Sequence, residues 1–385
     1  MITYFESYDK KDCNGCGVCA LKCPTKAITM KEDLEGFIYP IIDESKCINC
    51  GLCKKICPNK DYDINKNVKT YIAINKSNDD LKKSSSGGAF LPIAQYIISK
   101  NGIVFGVMYD ENLKVIHGFT DNEQELVRFQ GSKYVKSDLK NSFEMVKKFL
   151  EEDRFVLFSG TPCQCQGLRT YLGKEYDKLF TTEIICHSNP SPKVFEYYKK
   201  YLENKSKKKV KDIKFRAKSN GWKNQKPVIV YEDGKEEEEE IYFYSGFVKE
   251  LLNRPSCHNC HFCSSNRLSD FTFGDAWGIQ KIDSSIKDND TGISLLCINT
   301  PKGMKLKKYL ENKMFLKEIN TEKAFKYNHH KNVQMHKNRN IFYEGIASGK
   351  INENNILDYM YKYTKDSFYK KIINKCKRII KKLIK

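Results

Sequence analysis

The chain has 385 residues, with 67 basic against 48 acidic side chains, a formal charge of +19 and 16 cysteines. Hydrophobic content of 40% and aromatic content of 12% exclude wholesale disorder and support two or three packed domains. The start of the chain has no basic-then-apolar leader, and no stretch reaches the ~18 uncharged apolar residues of a spanning helix, so a soluble cytoplasmic protein with reduced thiols is expected. Sixteen cysteines in that setting point to metal binding. Solvated lysine faces explain the charge more simply than a phosphate backbone does, and no nucleic-acid partner is expected.

In chain order, the first feature is a duplication. Cys13-x2-Cys16-x2-Cys19-x3-Cys23-Pro24 recurs as Cys47-x2-Cys50-x2-Cys53-x3-Cys57-Pro58. Three closely spaced thiolates cap one face of a cubane, and the fourth cysteine of each run reaches the other cluster. The expected ligand sets are Cys13, Cys16, Cys19 and Cys57 for one [4Fe–4S] cluster, with Cys47, Cys50, Cys53 and Cys23 for the second. Residues 10–60 thus resemble bacterial-type ferredoxins. Paired zinc knuckles are the alternative, but zinc has no use for a duplicated four-cysteine run.

Residues 63–83 are polar and read as a linker after a two-cluster domain over 1–62. Apolar residues Phe90, Leu91, Ile93, Ala94, Ile97 and Ile98 recur at helical spacing, so a helix is expected to begin near Gly88. Ser86-Gly87-Gly88 at that start is a candidate phosphate cradle, since unpaired amides favour an anion there; a plain linker is the other reading. Residues 103–108 and 114–119 read as paired strands around the Asp110 turn. Residues 155–160 and 178–186 read as buried strands, the first followed by Thr161-Pro162-Cys163-Gln164-Cys165 and the second ending in Cys186-His187. Arg216 and Trp222 could supply a cation and a stacking ring to an anionic cofactor, although Trp222 equally suits a core. Residues 227–231 and 241–244 are expected to form a hairpin around Glu232-Asp233-Gly234-Lys235. Cys257-x2-Cys260 follows, with Cys263 close by, and then Phe273-Gly274-Asp275-Ala276-Trp277-Gly278. Asp275 either orients a cofactor or caps a turn. Cys297 reads as a buried strand residue.

These segments, in this order, resemble the coenzyme F420 hydrogenase/dehydrogenase beta-subunit family over about residues 80–310. The resemblance implies an iron–sulfur flavoprotein holding FAD and a third [4Fe–4S] cluster, with coenzyme F420 among the hydride carriers its members use. It implies Cys163, Cys186, Cys257 and Cys260 as the third ligand set; the sequence departs from the family pattern in carrying Cys165 and Cys263 nearby, either of which could replace a neighbour. The resemblance also makes Lys133 and Tyr134 flavin contacts beside Ser86, Gly87, Gly88, Arg216, Trp222, Asp275 and Trp277. Zinc at Cys257, Cys260 and Cys263 with His258 or His261 is the competing reading.

The expected architecture is mixed α/β. A small ferredoxin-like domain precedes a larger flavin and iron–sulfur domain in two parts, 84–150 and 151–310, and a helical lysine-rich tail covers 311–385. The last 25 residues, 361–385, carry +9 of the +19. Their apolar stripe through Tyr369, Ile372, Ile373, Cys376, Ile379, Ile380 and Leu383 suits either a peripheral contact at the inner membrane surface or packing on a partner. The leading functional expectation is an oxidoreductase passing electrons between a hydride carrier and a one-electron redox partner protein, ferredoxin-like or reductase. The alternatives are an electron-transfer or docking subunit with no substrate site, and a zinc-stabilised binding module.

Overall fold

The duplicated cysteine runs fold as two copies of one local device. In a computed structural model, which describes residues 3–59, 68–238, 242–328 and 331–365, each run turns through a left-handed glycine into one helical turn. Gly17 (φ +77°) leads into α1 (Val18–Leu21), and Gly51 (φ +69°) into α2 (Leu52–Lys55). A side chain with a Cβ is disfavoured at such angles, so glycine lets the loop between the second and third cysteines reverse sharply. Between the runs, β1 (Ile28–Glu32) and β2 (Ile38–Ile42) form an antiparallel hairpin.

The body is built from β3 (Lys69–Asn75), β4 (Ile103–Tyr109), β5 (Val115–Thr120), β6 (Val156–Gly160) and β7 (Leu179–Ile184). Next in the chain come β8 (Val210–Ala217), β9 (Lys226–Tyr231), β10 (Glu236–Glu238), β11 (Phe271–Asp275), β12 (Ser294–Ile298) and β13 (Met314–Ile319). Eight of these strands form one sheet in the order β13-β3-β12-β11-β7-β6-β4-β5, while β8, β9 and β10 form a separate antiparallel sheet. The centre, β4-β6-β7-β11, is parallel, and both flanks are antiparallel. Ile93, Ala94 and Ile97 of α3 (Phe90–Ser99) pack on one face, and Phe143, Val146 and Leu150 of α4 (Ser142–Glu151) on the other. The central parallel strands are therefore covered on both sides, as this topology requires.

The segment carrying the duplicated cysteine runs packs on this body. Phe37 and Tyr39 join the core formed by Val194, Phe195, Phe215, Phe243 and Phe342, and Val18 joins that of Phe105 and Phe158. Arg339 grips Glu35 with both guanidinium nitrogens, at 2.5 and 3.2 Å. Among the described residues, no helix is long and apolar enough to cross a membrane.

Three local expectations need correction. Residues 63–83 are not simply a linker, because Tyr71, Ile72 and Ala73 place β3 inside the large sheet, and Asn78–Lys83 is helical. Polar flanks outweighed that short apolar run in the sequence. Residues 242–248 form α7 rather than the second hairpin strand, because Phe243 and Phe247 lie one turn apart and are both buried. The partner of β9 is instead β10, whose glutamates are neutralised by Lys214 and Lys226. After residue 310 the chain adds β13 to the sheet edge before its later helices. The helices from 162 onward include α5 (Pro162–Leu172), α6 (Pro192–Ser206), α7 (Tyr242–Val248) and, after β13, α8 (Arg339–Ala347). The apolar stripe from Tyr369 to Leu383 lies outside the described residues.

Candidate functional site

Open α/β sheets present side chains beyond the carboxyl ends of their parallel strands, and the chemistry of this chain gathers there. Cys163 follows β6, Cys186 follows β7, and Asp275 closes β11. Thr161 and Gln164 form a reciprocal capping box around Pro162, so Cys163 sits in the first turn of α5.

Behind this turn runs a buried relay. His117 Nε2 donates to the Ser159 carbonyl (3.1 Å), Ser137 Oγ donates to His117 Nδ1 (3.1 Å), and Gln164 Nε2 donates to Ser137 Oγ (2.9 Å). Burial pushes His117 down from 6.5 to about 4, so its ring is neutral in the fold. The unfolded chain binds this proton below about pH 6.5 and the fold only near pH 4, so stability falls as pH falls through that window, by about 3 kcal/mol. Thermal unfolding at pH 7 and pH 5 checks this: His117→Gln is expected to lower stability at pH 7 but to flatten the acid dependence.

Cys163, Cys186, Cys257 and Cys260 line one void together with Cys263, His187, Arg254 and Arg267. Cys257 and Cys260 come from the turn over Pro255–Asn259, where the Cys257 amide donates to the Arg254 carbonyl (3.0 Å). Cys186 has Cys257, Cys163 and Cys260 as its electrostatic neighbours, whereas Cys263 faces Arg267. Cys165 is excluded from the void. It is 0% exposed, packs in the core with Phe158 and Leu168, and donates to the Thr182 carbonyl.

A second void is lined by Cys13, Cys16, Cys19 and Cys57, the first ligand set expected from spacing. Cys47, Cys50 and Cys53 are electrostatic neighbours, and the Cys23 sulfur accepts the Ala27 amide (3.3 Å). Cys50 is exposed, so the second run faces solvent. Burial raises the Cys16 thiol to about 12 and Cys257 to about 11, so an iron centre has to displace those protons for the sulfurs to be anionic at neutral pH. Among the described residues, no three His, Cys, Asp or Glu side chains converge as ligands of a single ion. Thiols spread around a void suit a cubane, whereas zinc draws its sulfurs to about 2.3 Å from one point.

The two voids are neighbours. Asn14 lines both, and a Cβ built on Gly167 of α5 would lie 3.1 Å from the Cys16 Cβ.

The residues expected at a flavin form a connected network. Ser132 donates through its amide and hydroxyl to Ser85 Oγ (2.8 and 2.9 Å), and Gln225 Nε2 donates to the Ser85 carbonyl (2.8 Å). Arg216 Nε donates to Gln225 Oε1, and its two terminal nitrogens pair with Asp275 at 2.8 and 3.1 Å. Trp277 stacks on Trp222 with centroids 4.9 Å apart, and the Trp222 Nε1 has no hydrogen-bond partner among the described residues. Tyr134 stacks on Phe247, which meets the His187 ring beside Cys186.

This set fits a ring system, through the half-exposed Trp277, better than it fits phosphates. Ser86 Oγ donates to the Ile293 carbonyl, and the Gly87 amide donates to Ser294 Oγ. A Cβ on Gly87 would come within 2.3 Å of the Ala73 carbonyl. The expected cradle at Ser86 and Gly87 is therefore a packing joint between β3 and β12, and Gly88 (φ +72°) turns the chain into α3. Lys133 Nζ donates to the carbonyls of Arg128, Gln130 and Gly131, and Lys218 Nζ to those of Leu81, Ser86 and Thr291. Sequence reasoning missed Asn14, His117, Arg254 and Arg267. Only Arg254 carried a signal, its place three residues before Cys257.

Residues 153–324 match the family model for the C-terminal part of the coenzyme F420 hydrogenase/dehydrogenase beta subunit, and residues 12–60 that of a 4Fe-4S dicluster domain. The two matches lie in one polypeptide, without overlap. No curated protein matches it. Among solved structures, a chain from the xenon-derivatised F420-reducing [NiFe] hydrogenase complex of Methanosarcina barkeri is similar at 16% identity and a TM-score of 0.44, covering 78% of this chain and 92% of that one.

Proposed function

We propose that this beta-subunit-like iron–sulfur protein is an oxidoreductase that passes electrons between a hydride carrier, F420 or another, and a one-electron partner protein. Three [4Fe–4S] clusters bound at the cysteine sets would carry single electrons, and a bound FAD would convert a hydride pair into them. The carrying observation is the contact between the two thiol-lined voids through Asn14, with the second cysteine run exposed beyond them. That order gives an entry near Trp277 and Tyr134, an inner set at Cys163, Cys186, Cys257 and Cys260, a middle set at Cys13, Cys16, Cys19 and Cys57, and an outer exit at Cys50. The protein's own part is to hold the thiols, exclude water from the inner and middle sets and keep Arg216 locked on Asp275.

One observation favours the second reading, a docking subunit without its own substrate site. Arg216, Lys133 and Lys218 are already engaged by protein oxygens, which leaves few cations for a phosphate.

Anaerobic purification with iron, sulfide and flavin analysis separates the readings. About 12 irons per chain, at four per cluster, are expected with extractable flavin. Titration with reduced F420, NAD(P)H and reduced ferredoxin should then bleach the clusters. Iron-replete protein without flavin or hydride turnover would instead establish the docking subunit.

A further inference from the structure

Among the described residues, four arginines are buried or nearly so, and three of them have carboxylate partners. Arg216 pairs with Asp275, Arg267 with Glu183 and Arg339 with Glu35. Arg254 is 1% exposed and is paired with no carboxylate among the described residues. Its Nε donates to the Cys13 carbonyl (2.8 Å) and its Nη2 to the Ile38 carbonyl (2.9 Å), while the guanidinium lies 4.2 Å from the Tyr39 ring centroid. Nη1 has no hydrogen-bond partner among the described residues, and a Cβ on Gly15 would lie 3.1 Å from it.

The backbone of Arg254 opens the Cys257–Cys260 turn, and its side chain crosses to the loop carrying Cys13 and Cys16. A fixed cation is costly to bury without a counter-charge, and two carbonyls and a ring do not cancel it. Cysteines lie on either side of it, with Cys13 of one set and Cys257 of the other among its electrostatic neighbours.

We propose that Arg254 is the shared counter-cation of the inner and middle cysteine sets, stabilising the extra electron on either and thereby setting their potentials together, apart from the outer set. The proposal rests on the cluster reading above. Each one-electron reduction adds one negative charge next to Arg254, so the cation favours the reduced state of both sets. Charge and hydrogen bonds near the sulfurs are recognised controls on such potentials. Arg254 acts as a positioning residue and touches no substrate.

The test is a potentiometric titration of the purified full chain, followed by electron paramagnetic resonance, for wild type, Arg254→Gln, Arg254→Lys and Arg339→Gln. Arg254→Gln is expected to shift two of the three reduction steps to lower potential and leave the third in place. Arg254→Lys restores both, and Arg339→Gln, which loosens docking without removing the shared cation, shifts neither. Unmoved potentials at full iron content, a common shift of all three, or the same shift in Arg339→Gln would overturn the proposal. If Arg254→Gln loses iron, retention by Arg254→Lys supports the need for charge, and loss in both overturns it. Wild-type protein without iron would instead defeat the cluster reading itself.

Discussion

Cys186→Ser is expected to lower the iron content from about 12 to about 8 per chain and to abolish reduction of the remaining clusters by a hydride donor. Cys186 lies beyond β7 at the inner void, with Cys163, Cys257 and Cys260 as its electrostatic neighbours. Serine is smaller and remains protonated, so a four-thiolate site loses one corner while the eight ferredoxin-type cysteines stay intact. The outer clusters should still accept electrons from dithionite, which separates a broken relay from a misfolded chain. Two controls sharpen the result. Cys165→Ser keeps all the iron, because that thiol is buried in the core and hydrogen-bonds the Thr182 carbonyl. Cys263→Ser also keeps it, since Cys263 lines the void but faces Arg267. Loss of four irons from either control, with none lost from Cys186→Ser, reassigns the ligand set.

Arg267→Met is expected to destabilise the fold by about 3–5 kcal/mol, because it strands a buried carboxylate. Arg267 and Glu183 are 2% and 1% exposed at the side chain and pair at 2.7 Å. Glu183 also accepts from Ser269 Oγ (3.1 Å) and Thr272 Oγ1 (3.3 Å), which are too weak to balance a full charge in that interior. The pair joins β7, which leads into Cys186, to the segment before β11, which ends in Asp275. Melting should fall by roughly 4–6 °C, given about 2.1 cal/mol/K of unfolding entropy per residue. The double change Arg267→Met with Glu183→Leu should recover most of the loss, since a well-packed apolar pair can replace a buried ion pair. If the double variant melts no higher than the single one, the void rather than the charge sets the stability.

Much of the site was legible because its signals are local. Eight cysteines in two identical runs followed by proline specify a two-cluster geometry at short range, and the void at the first run is lined by the four expected members. The helix at Phe90, the strands at 103–109 and 115–120 and the buried strand holding Cys297 follow from periodicity alone. The misreading of residues 63–83 has a tertiary cause. β3 is a strand because of the partners it meets, β12 with Cys297 and β13, and a partner far along the chain leaves no mark on local composition. The Ser86–Gly87 tract failed similarly, since its polar groups are taken by Ile293 and Ser294, two hundred residues away.

By itself the sequence determined which residue types are present and at what spacing, and so the iron–sulfur chemistry of the duplicated runs. Spacing along the chain could not choose between Cys163 and Cys165, because positions two apart on a helix point about 200° from one another, and only the packing of α5 shows which faces the void. Nor could it reveal that Arg254 lies between two cysteine sets with no carboxylate paired to it among the described residues. Proximity across domains is a property of the folded surface, and the charge of a buried group takes its meaning from what surrounds it.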